Sequence, residues 1–400
     1  MRHVWSLTLV VGLFAFVIGA MLTALPQACL IHAFRSAEIG LIGACGNLGY
    51  AAGCLLWGRL FQGLPGKHVL RGGIALMLLT LLVMAAGATV PVLVGAQILA
   101  GLASAATWPF ASAWLLDFQS DRLPRTRLLR HYNLAWTNGL AAGLYATGLA
   151  CRAGYVLESF YAAAAISGAA ILLASTVRAT RPHAPDRPGP GTPPDPLRVG
   201  ARPLAAALLA SLAAIATRTL LMVNYPELNA RLGYAADRMG LLTAVSALAQ
   251  MAAFGFGAAY EPWLGLRRVY VLLAAALALS LSAFAWLTWL PALLAAAALS
   301  GVAAAMAFQA SILACTGHFR SARSGTTLHE ALVGLGGIAP FAAGALATAL
   351  QQAGWPPTEA LRAPFLLLTL ILLAVLGAQL ALIGRHGSRR LLSKEEMRSA

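Results

Sequence analysis

The chain has 400 residues, of which 60% are hydrophobic and only 10% are charged. An ordinary soluble domain is about 45–50% apolar and about 25% charged, so water cannot solvate most of the surface that this chain would present. The composition excludes a string of soluble domains and indicates a protein whose main solvent is lipid.

The net charge of +15 would suit a nucleic-acid-binding protein, but the placement of the basic residues argues against that class. They lie in short segments between long apolar runs, where membrane topology explains them, so we expect no nucleic acid partner. The five cysteines form no C-x-x-C pair and lie mostly in apolar runs, which is typical of small buried hydrophobes. We expect no metal site and no cofactor.

Charge-free runs of about 20 residues predict the membrane-spanning helices. Six of them precede a proline-rich segment: Val4–Leu25, the run between Glu38 and Arg59, two helices between Arg71 and Asp117 that separate near Gly87–Pro91, the run between Arg130 and Arg152, and a run from Glu158 to about Thr176.

The segment Arg178–Arg202 is dense in proline, which excludes a helix and predicts an extended, solvated linker. Six more apolar runs follow it: Pro203–Asn224, the run between Arg238 and Glu261, two helices between Arg268 and Arg320 that separate at Thr288–Pro291, the run between Glu330 and Glu359, and the run between Arg362 and Arg385.

These runs predict an all-α membrane protein with twelve transmembrane helices in two parallel six-helix repeats. We expect an N-terminal bundle at 1–177, the linker at 178–202, a C-terminal bundle at 203–385 and a tail at 386–400. The two halves correspond at an offset of about 200 residues; Pro26 meets Pro226, and Gly40 meets Gly240. An even number of helices in each half makes the repeats parallel, as in many secondary transporters.

The positive-inside rule orients the chain. With the N-terminus in the cytoplasm, the external loops contain five basic residues (Arg35, Arg152, Arg231, Arg238, Arg362) and five acidic ones (Glu38, Glu158, Glu227, Asp237, Glu359). All other Lys and Arg residues except Arg218 then lie on the cytoplasmic side. Arginine outnumbers lysine 26 to 2, which hints at a GC-rich bacterial genome. We expect a multi-pass, monomeric protein of the bacterial inner membrane with both termini cytoplasmic.

The segment Gly58–Leu70 resembles the signature loop of the major facilitator superfamily, G-x-L-x-D-R-x-G-R-R-x-x-L. Gly58, Leu60, Lys67 and Leu70 match in register. In the family this loop latches the two halves on the cytoplasmic side, so the resemblance implies a gating role for Gly58, Arg59, Gln62 and Lys67. Gln62 stands where the family has Asp and cannot form the ion pair, which implies a weaker or rewired latch.

Candidate substrate-binding residues are polar side chains within the spans. Arg218 is the ionisable residue most clearly inside a span, and such a residue is a functional candidate by default. Its guanidinium would attract an anionic solute; the alternatives are snorkelling to the interface or an internal ion pair. The uncharged candidates, which could instead form interhelical hydrogen bonds, are Gln97, Trp108, Gln309, Gln250 and Asn138.

Energy coupling by a proton would need an acidic group in or near the pathway, as the family resemblance implies. The sequence places Glu330 at the inner end of the eleventh helix and Asp117 at the inner end of the fourth. Either residue could instead pair with a loop arginine. There is no G-x-x-x-x-G-K-[ST] loop, so ATP is not the direct energy source.

The sequence thus predicts a secondary active transporter, not an enzyme, that moves a small organic and possibly anionic solute across the membrane by alternating access. Two alternatives remain open. The altered signature loop would also suit a sensor or assembly partner that kept the fold but lost transport. A lipid-modifying enzyme is the third alternative, although His329-Glu330 is its one adjacent pair of suitable residues.

Overall fold

A computed structural model describes residues 2–60, 64–87, 89–116, 118, 125–177, 199–260, 263–264, 266–319 and 322–383. Within these ranges the chain forms twelve long helices: α1 (Arg2–Ile31), α2 (Ser36–Leu60), α3 (Gly66–Ala86), α4 (Val90–Leu116), α5 (Arg125–Arg152), α6 (Val156–Thr176), α7 (Ala201–Val223, continued by a short helix, Tyr225–Arg231), α8 (Ala236–Gly255, followed by a short helix, Gly257–Tyr260), α9 (Arg267–Trp286), α10 (Leu290–His318), α11 (two segments, Ala322–Gly336 and Ala339–Gln352) and α12 (Pro357–Ile383).

Ten of the twelve helices are long and apolar enough to span a membrane by length and composition. The other two, α5 and α8, carry more polar residues and pack against each other between the halves of the chain, where protein covers much of their surface. The predicted all-α membrane fold is therefore confirmed. We call the face at which α1 begins the N-terminal face, and the face at which it ends the opposite face.

The internal repeat of the sequence is also present in the backbone structure. Helices α7 to α10 begin 199 to 201 residues after α1 to α4, as their bounds show. The backbone turns with positive φ occur in matched pairs, Ala33 (φ 54°) with Gly233 (φ 77°) and Gly154 (φ 90°) with Gly354 (φ 86°). The same local geometry at an offset of 200 residues supports two parallel copies of one six-helix unit.

Each half of the chain packs around a hydrophobic core of its own. The core of α1–α6 contains Phe14 and Trp114, and the core of α7–α12 contains Tyr225 and Phe365. Leucines such as Leu172, which is 72% exposed, cover the outer surface, where they would meet lipid tails.

Two helix pairs join the halves: α5 with α8, and α11 with α2. The pairs are equivalent under the repeat, because α2 corresponds to α8 and α5 to α11. Glycines allow both close approaches. A Cβ atom on Gly148 would lie 2.9 Å from Cα of Gly240, and a Cβ atom on Gly40 would meet the carbonyl of Pro340. Small residues at such contacts let membrane helices pack backbone to backbone.

Glycines elsewhere in α5 serve a different contact from the one that the sequence suggests. The four-residue spacing of Gly139 and Gly143 predicts tight packing where the halves meet, but their backbone packs against Gly12 and Phe16 of α1, inside the first half. The similar spacing of Gly336, Pro340 and Gly344 predicts a bend in α11, and the helix is interrupted between Gly336 and Ala339.

Candidate functional site

A cavity of about 250 Å³ lies between the halves. Helices α1, α2, α4, α5, α7, α8, α10 and α11 all contribute to its wall. Along α1 the wall runs from Ala15 to Cys29, which is about 21 Å of helix at ~1.5 Å per residue. The cavity is thus elongated along the helix axes, and it brings together five of the candidate residues: Gln97, Trp108, Arg218, Gln250 and Glu330.

Arg218 is the basic residue of this wall. Its Nη1 donates a hydrogen bond to Oε1 of Gln250 at 2.9 Å, and its Cζ lies 5.9 Å from the ring centre of Trp136. Both neighbours are uncharged, and the described part of the chain contains no salt bridge to Arg218. The guanidinium therefore faces the cavity with no carboxylate of the described residues within salt-bridge distance.

Glu330 faces the same cavity, deeper in the membrane than the sequence suggests. Tyr50 on α2 donates its hydroxyl hydrogen to Oε2 of Glu330 on α11, at 2.5 Å, so the bond joins the two halves. Glu330 lies eight residues beyond the start of α11, about 12 Å along the helix at ~1.5 Å per residue, because α11 begins at Ala322. The side chain that we placed at the inner end of this helix belongs to the cavity wall.

Aromatic rings from both halves cluster at the end of the cavity nearest the N-terminal face. The ring of Trp136 lies 6.5 Å from Trp108, 5.9 Å from Phe254 and 6.4 Å from Phe308. Tyr132 lies against Trp108 and donates to its backbone carbonyl at 3.3 Å. Edge-on and tilted packing of this kind stabilises aromatic clusters. The cluster gives the cavity an aromatic floor that both halves build.

Polar contacts between the halves close the opposite face. Ser36 on α2 donates to Oε1 of Glu227 at 2.8 Å, and both side chains are buried. The backbone N–H of Ala37 donates to Thr348 at 2.9 Å. At the surface Arg152 and Asp237 form a salt bridge of 2.7 Å. The structure is therefore closed towards the opposite face.

Gln97 carries an unusual polar group. The side chain is 5% exposed, and its Nε2 has no hydrogen-bond partner among the described residues. A Cβ atom on Gly46 would collide with its Oε1, so the glycine provides the space that the amide occupies. A buried unpaired donor at a cavity wall is available to an acceptor on a bound solute.

The remaining candidates lie elsewhere. Asn138 is exposed on α5, and neither it nor Gln309 belongs to the residues that line the cavity. Lys67 donates to the backbone carbonyls of Ser175 and Val177, at 2.7 and 2.8 Å, so it holds the end of α6 within the first half.

The other residues of the expected latch can be placed only in part. Gly58 and Arg59 belong to α2, but their side chains lie outside the described part of the structure. Gln62 and Asp117 lie outside the described residues.

Sequence reasoning missed several residues of the site, among them Tyr50, Tyr132, Trp136 and Glu227. Trp136 did carry a signal, because tryptophan is enriched at membrane interfaces and this one lies well inside a predicted span. The partners of Tyr50 and Glu227 are residues 280 and 191 positions away, and no local pattern announces such contacts.

Twelve membrane helices around a central, solute-sized cavity define the class of a polytopic membrane transporter. The family model described as the Major Facilitator Superfamily matches residues 7–207, and the chain belongs to this family. Among curated protein sequences, none matches the chain significantly.

Solved transporter structures share the fold. The nucleoside transporter NupG superposes with a TM-score of 0.76 at 14% identity, over 96% of this chain and 99% of that one. The human organic anion transporter MFSD10 (TETRAN) gives 0.65 at 15% identity, over 95% and 99% of the two chains. A bacterial homologue of the human lysosomal transporter Spinster, inward-facing and occupied, gives 0.69 at 14% identity, over 95% and 96%. At these identities the likeness shows the fold alone.

Proposed function

We propose that this protein is a secondary transporter that carries a small organic anion by alternating access and binds the anion at Arg218. The observation that carries the proposal is a guanidinium that faces the central cavity and whose contacts among the described residues, Gln250 and Trp136, are uncharged. A buried charge is costly unless something pairs with it. An anionic solute supplies that pair and gains charge-assisted hydrogen bonds in return.

The contacts between the halves support the transport cycle. In the present state the opposite face is closed by Ser36 with Glu227 and by Arg152 with Asp237. Alternating access requires these bonds to break while contacts nearer the N-terminal face form, with the cavity as the fixed centre. Neither of these polar contacts costs more than a few kcal/mol to break, which suits two states of similar free energy.

Orientation follows from charge. The N-terminal face is the cytoplasmic one in this proposal, because it receives nearly all of the excess basic residues while the opposite loops are balanced. The membrane is the bacterial inner membrane, and the protein works as a monomer, since each half packs around a core of its own.

A proton is the proposed coupling ion, and Glu330 is the proposed carrier. Its carboxylate faces the cavity, so both faces can reach it in turn as the halves rock. Its partner Tyr50 belongs to the other half, so the state of the carboxylate and the contact between the halves are linked.

Counterflow in proteoliposomes tests the proposal. Vesicles loaded with an unlabelled small carboxylate should accumulate the same labelled carboxylate, and should not accumulate its neutral amide. Arg218→Gln should abolish this accumulation, whereas Arg218→Lys should retain part of it, because the charge remains and the bidentate geometry is lost. Binding without counterflow in the unaltered protein would instead favour the non-transporting sensor. Equal counterflow of acid and amide would contradict the role of Arg218.

A further inference from the structure

The two ends of the cavity differ in chemistry. The end nearer the N-terminal face holds the charged and aromatic side chains, such as Arg218, Glu330 and Trp136. The end nearer the opposite face is lined on α1, α2 and α7 by aliphatic and sulfur-containing side chains: Leu22, Leu25, Cys29, Ile39, Ile42 and Met222.

From this separation we infer that the transported solute is an amphipathic monoanion, with its charged group at Arg218 and an aliphatic chain that extends towards the opposite face. The inference rests on the proposed function and gives its substrate a class. The anionic group and the chain correspond to the two ends of one elongated cavity.

The direction of the chain follows from what blocks the other end. On the side of Arg218 nearer the N-terminal face, the rings of Trp136, Phe254 and Phe308 pack against one another at 5.9 to 6.4 Å between ring centres, and Trp136 and Phe308 line that end of the cavity. Towards the opposite face the α1 wall continues for seven residues from Leu22 to Cys29, about 10 Å at ~1.5 Å per residue. A hydrocarbon chain that leaves Arg218 therefore has room in one direction.

The aliphatic end also argues against a solute that is polar throughout. A sugar or a polyhydroxylated anion would bring hydroxyl groups beside Leu25, Ile39 and Ile42, whose side chains offer no hydrogen-bond partner. Burying unpaired hydroxyl groups costs free energy, whereas burying methylene groups there is favourable. Gln97, with its Nε2 unpaired among the described residues, and Asn47 are polar exceptions on this part of the wall.

A homologous series of straight-chain carboxylates tests the inference. Binding of acetate, butyrate, hexanoate and octanoate is measured by titration calorimetry on the protein in nanodiscs, with protein-free nanodiscs to correct for partition into lipid. Affinity should rise about three- to fourfold with each added methylene until the cavity is filled. Octanamide and octylamine, which have the chain without the anion, should bind at least tenfold more weakly than octanoate.

A variant at the aliphatic end locates the chain. Leu22→Trp narrows this end and should weaken octanoate binding tenfold or more while leaving butyrate within twofold. Leu9→Trp is the matched control, because Leu9 is on the same helix and is 55% exposed on the outer surface. It should leave the whole series unchanged.

The outcomes separate the two proposals. If carboxylates bind but affinity is independent of chain length, or if Leu22→Trp weakens butyrate and octanoate equally, the amphipathic class is wrong and the anion carrier stands. If no carboxylate binds and none shows counterflow, the proposed function itself fails.

Discussion

The guanidinium of Arg218 is held in place by one hydrogen bond and one aromatic ring. Guanidinium has five N–H donors, and Gln250 is the acceptor that the described structure gives it. The Arg218 Cζ atom lies over the ring of Trp136, 5.9 Å from its centre, and this contact does not use those donors. Most of the hydrogen-bonding capacity is therefore left for a solute, and Gln250 orients the group without neutralising it.

Substitutions of Gln250 separate two properties of the Arg218 guanidinium, its orientation and its unbalanced charge. Gln250→Leu removes a hydrogen bond to a charged group, worth about 1.5–3 kcal/mol, so anion affinity should fall by roughly 10- to 100-fold. Gln250→Glu keeps the bond but pairs the guanidinium with a carboxylate, so anion binding should be lost while thermal stability is maintained. Titration calorimetry and a melting curve on both variants measure these effects. Anion binding that survives Gln250→Glu would contradict the arrangement.

Glu330 permits a similar separation of binding from coupling. Glu330→Gln retains an acceptor for Tyr50 but cannot release a proton, so uptake driven by a pH gradient should fall at least tenfold. Counterflow, which needs no net proton movement, should remain within about threefold of the unaltered protein. Transport assays with and without an imposed gradient check this, and unchanged gradient-driven uptake would exclude the coupling role.

At the scale of single residues, the sequence predicts which side chains are functional candidates, but it does not predict which side chains they contact. Arg218 and Glu330 stand out in the sequence because charged groups are rare in apolar helices. Tyr50 and Trp136 resemble ordinary membrane aromatics, and only folding brings them to a carboxylate and a guanidinium. Lys67 matched a family motif, yet it binds the end of α6, because a short motif does not determine its partner.

Among the helices, the two whose composition is most informative are the pair that lies between the halves. Among the described helices, α5 and α8 are the two that do not meet the length and composition of a membrane span, and they are the pair that the fold places between the halves. A polar side chain such as Gln250 is tolerated there because it is buried against protein and does not face lipid. The number of helices and the repeat could be predicted from the charge-free runs. The helix that Gly139 and Gly143 contact could not be predicted, because residue spacing does not say which helix is the neighbour.

The close approach of α5 and α8 predicts a glycine effect on closure. Gly148→Ala places a Cβ atom 2.9 Å from Cα of Gly240, so the helices must separate at the opposite face. Overpacking of this kind typically costs about 1–3 kcal/mol, and the melting temperature should fall while thiol labelling of a cysteine introduced at Arg152 becomes faster. Gly95→Ala is the control, because its Cβ atom would meet nothing within 4 Å. Equal effects of both substitutions would refute closure by this contact.

At the scale of the whole molecule, the repeat produces two equivalent seams and one cavity between them. Both seams, α5 with α8 and α11 with α2, run from the opposite face to the level of the cavity. A rigid rotation of one half over the other must therefore open both seams together. The bonds that hold the seams closed decide which face is open, and Ser36 with Glu227 is the buried one at the opposite face.

Removing the hydrogen bond between Ser36 and Glu227 should shift the conformational equilibrium of the whole molecule. Ser36→Ala leaves Glu227 without its donor, a loss of about 1–3 kcal/mol that should raise the population open to the opposite face by roughly 5- to 150-fold. Spin labels at Tyr155 and Trp289 report on the opposite face, and labels at Trp5 and Phe256 on the N-terminal face; all four positions are exposed, and the five native cysteines are buried.

Pulsed electron–electron double resonance should show that the distance between the labels at Tyr155 and Trp289 lengthens as the distance between the labels at Trp5 and Phe256 shortens. Ser167→Ala is the matched control, because the buried Ser167 hydroxyl donates to Ala163 within α6, and it should leave both distances unchanged. Rocking of the halves as rigid bodies around one centre links the two distances in opposite senses. A change at one face alone would show that the seam opens locally, and alternating access by rocking of the halves would have to be abandoned.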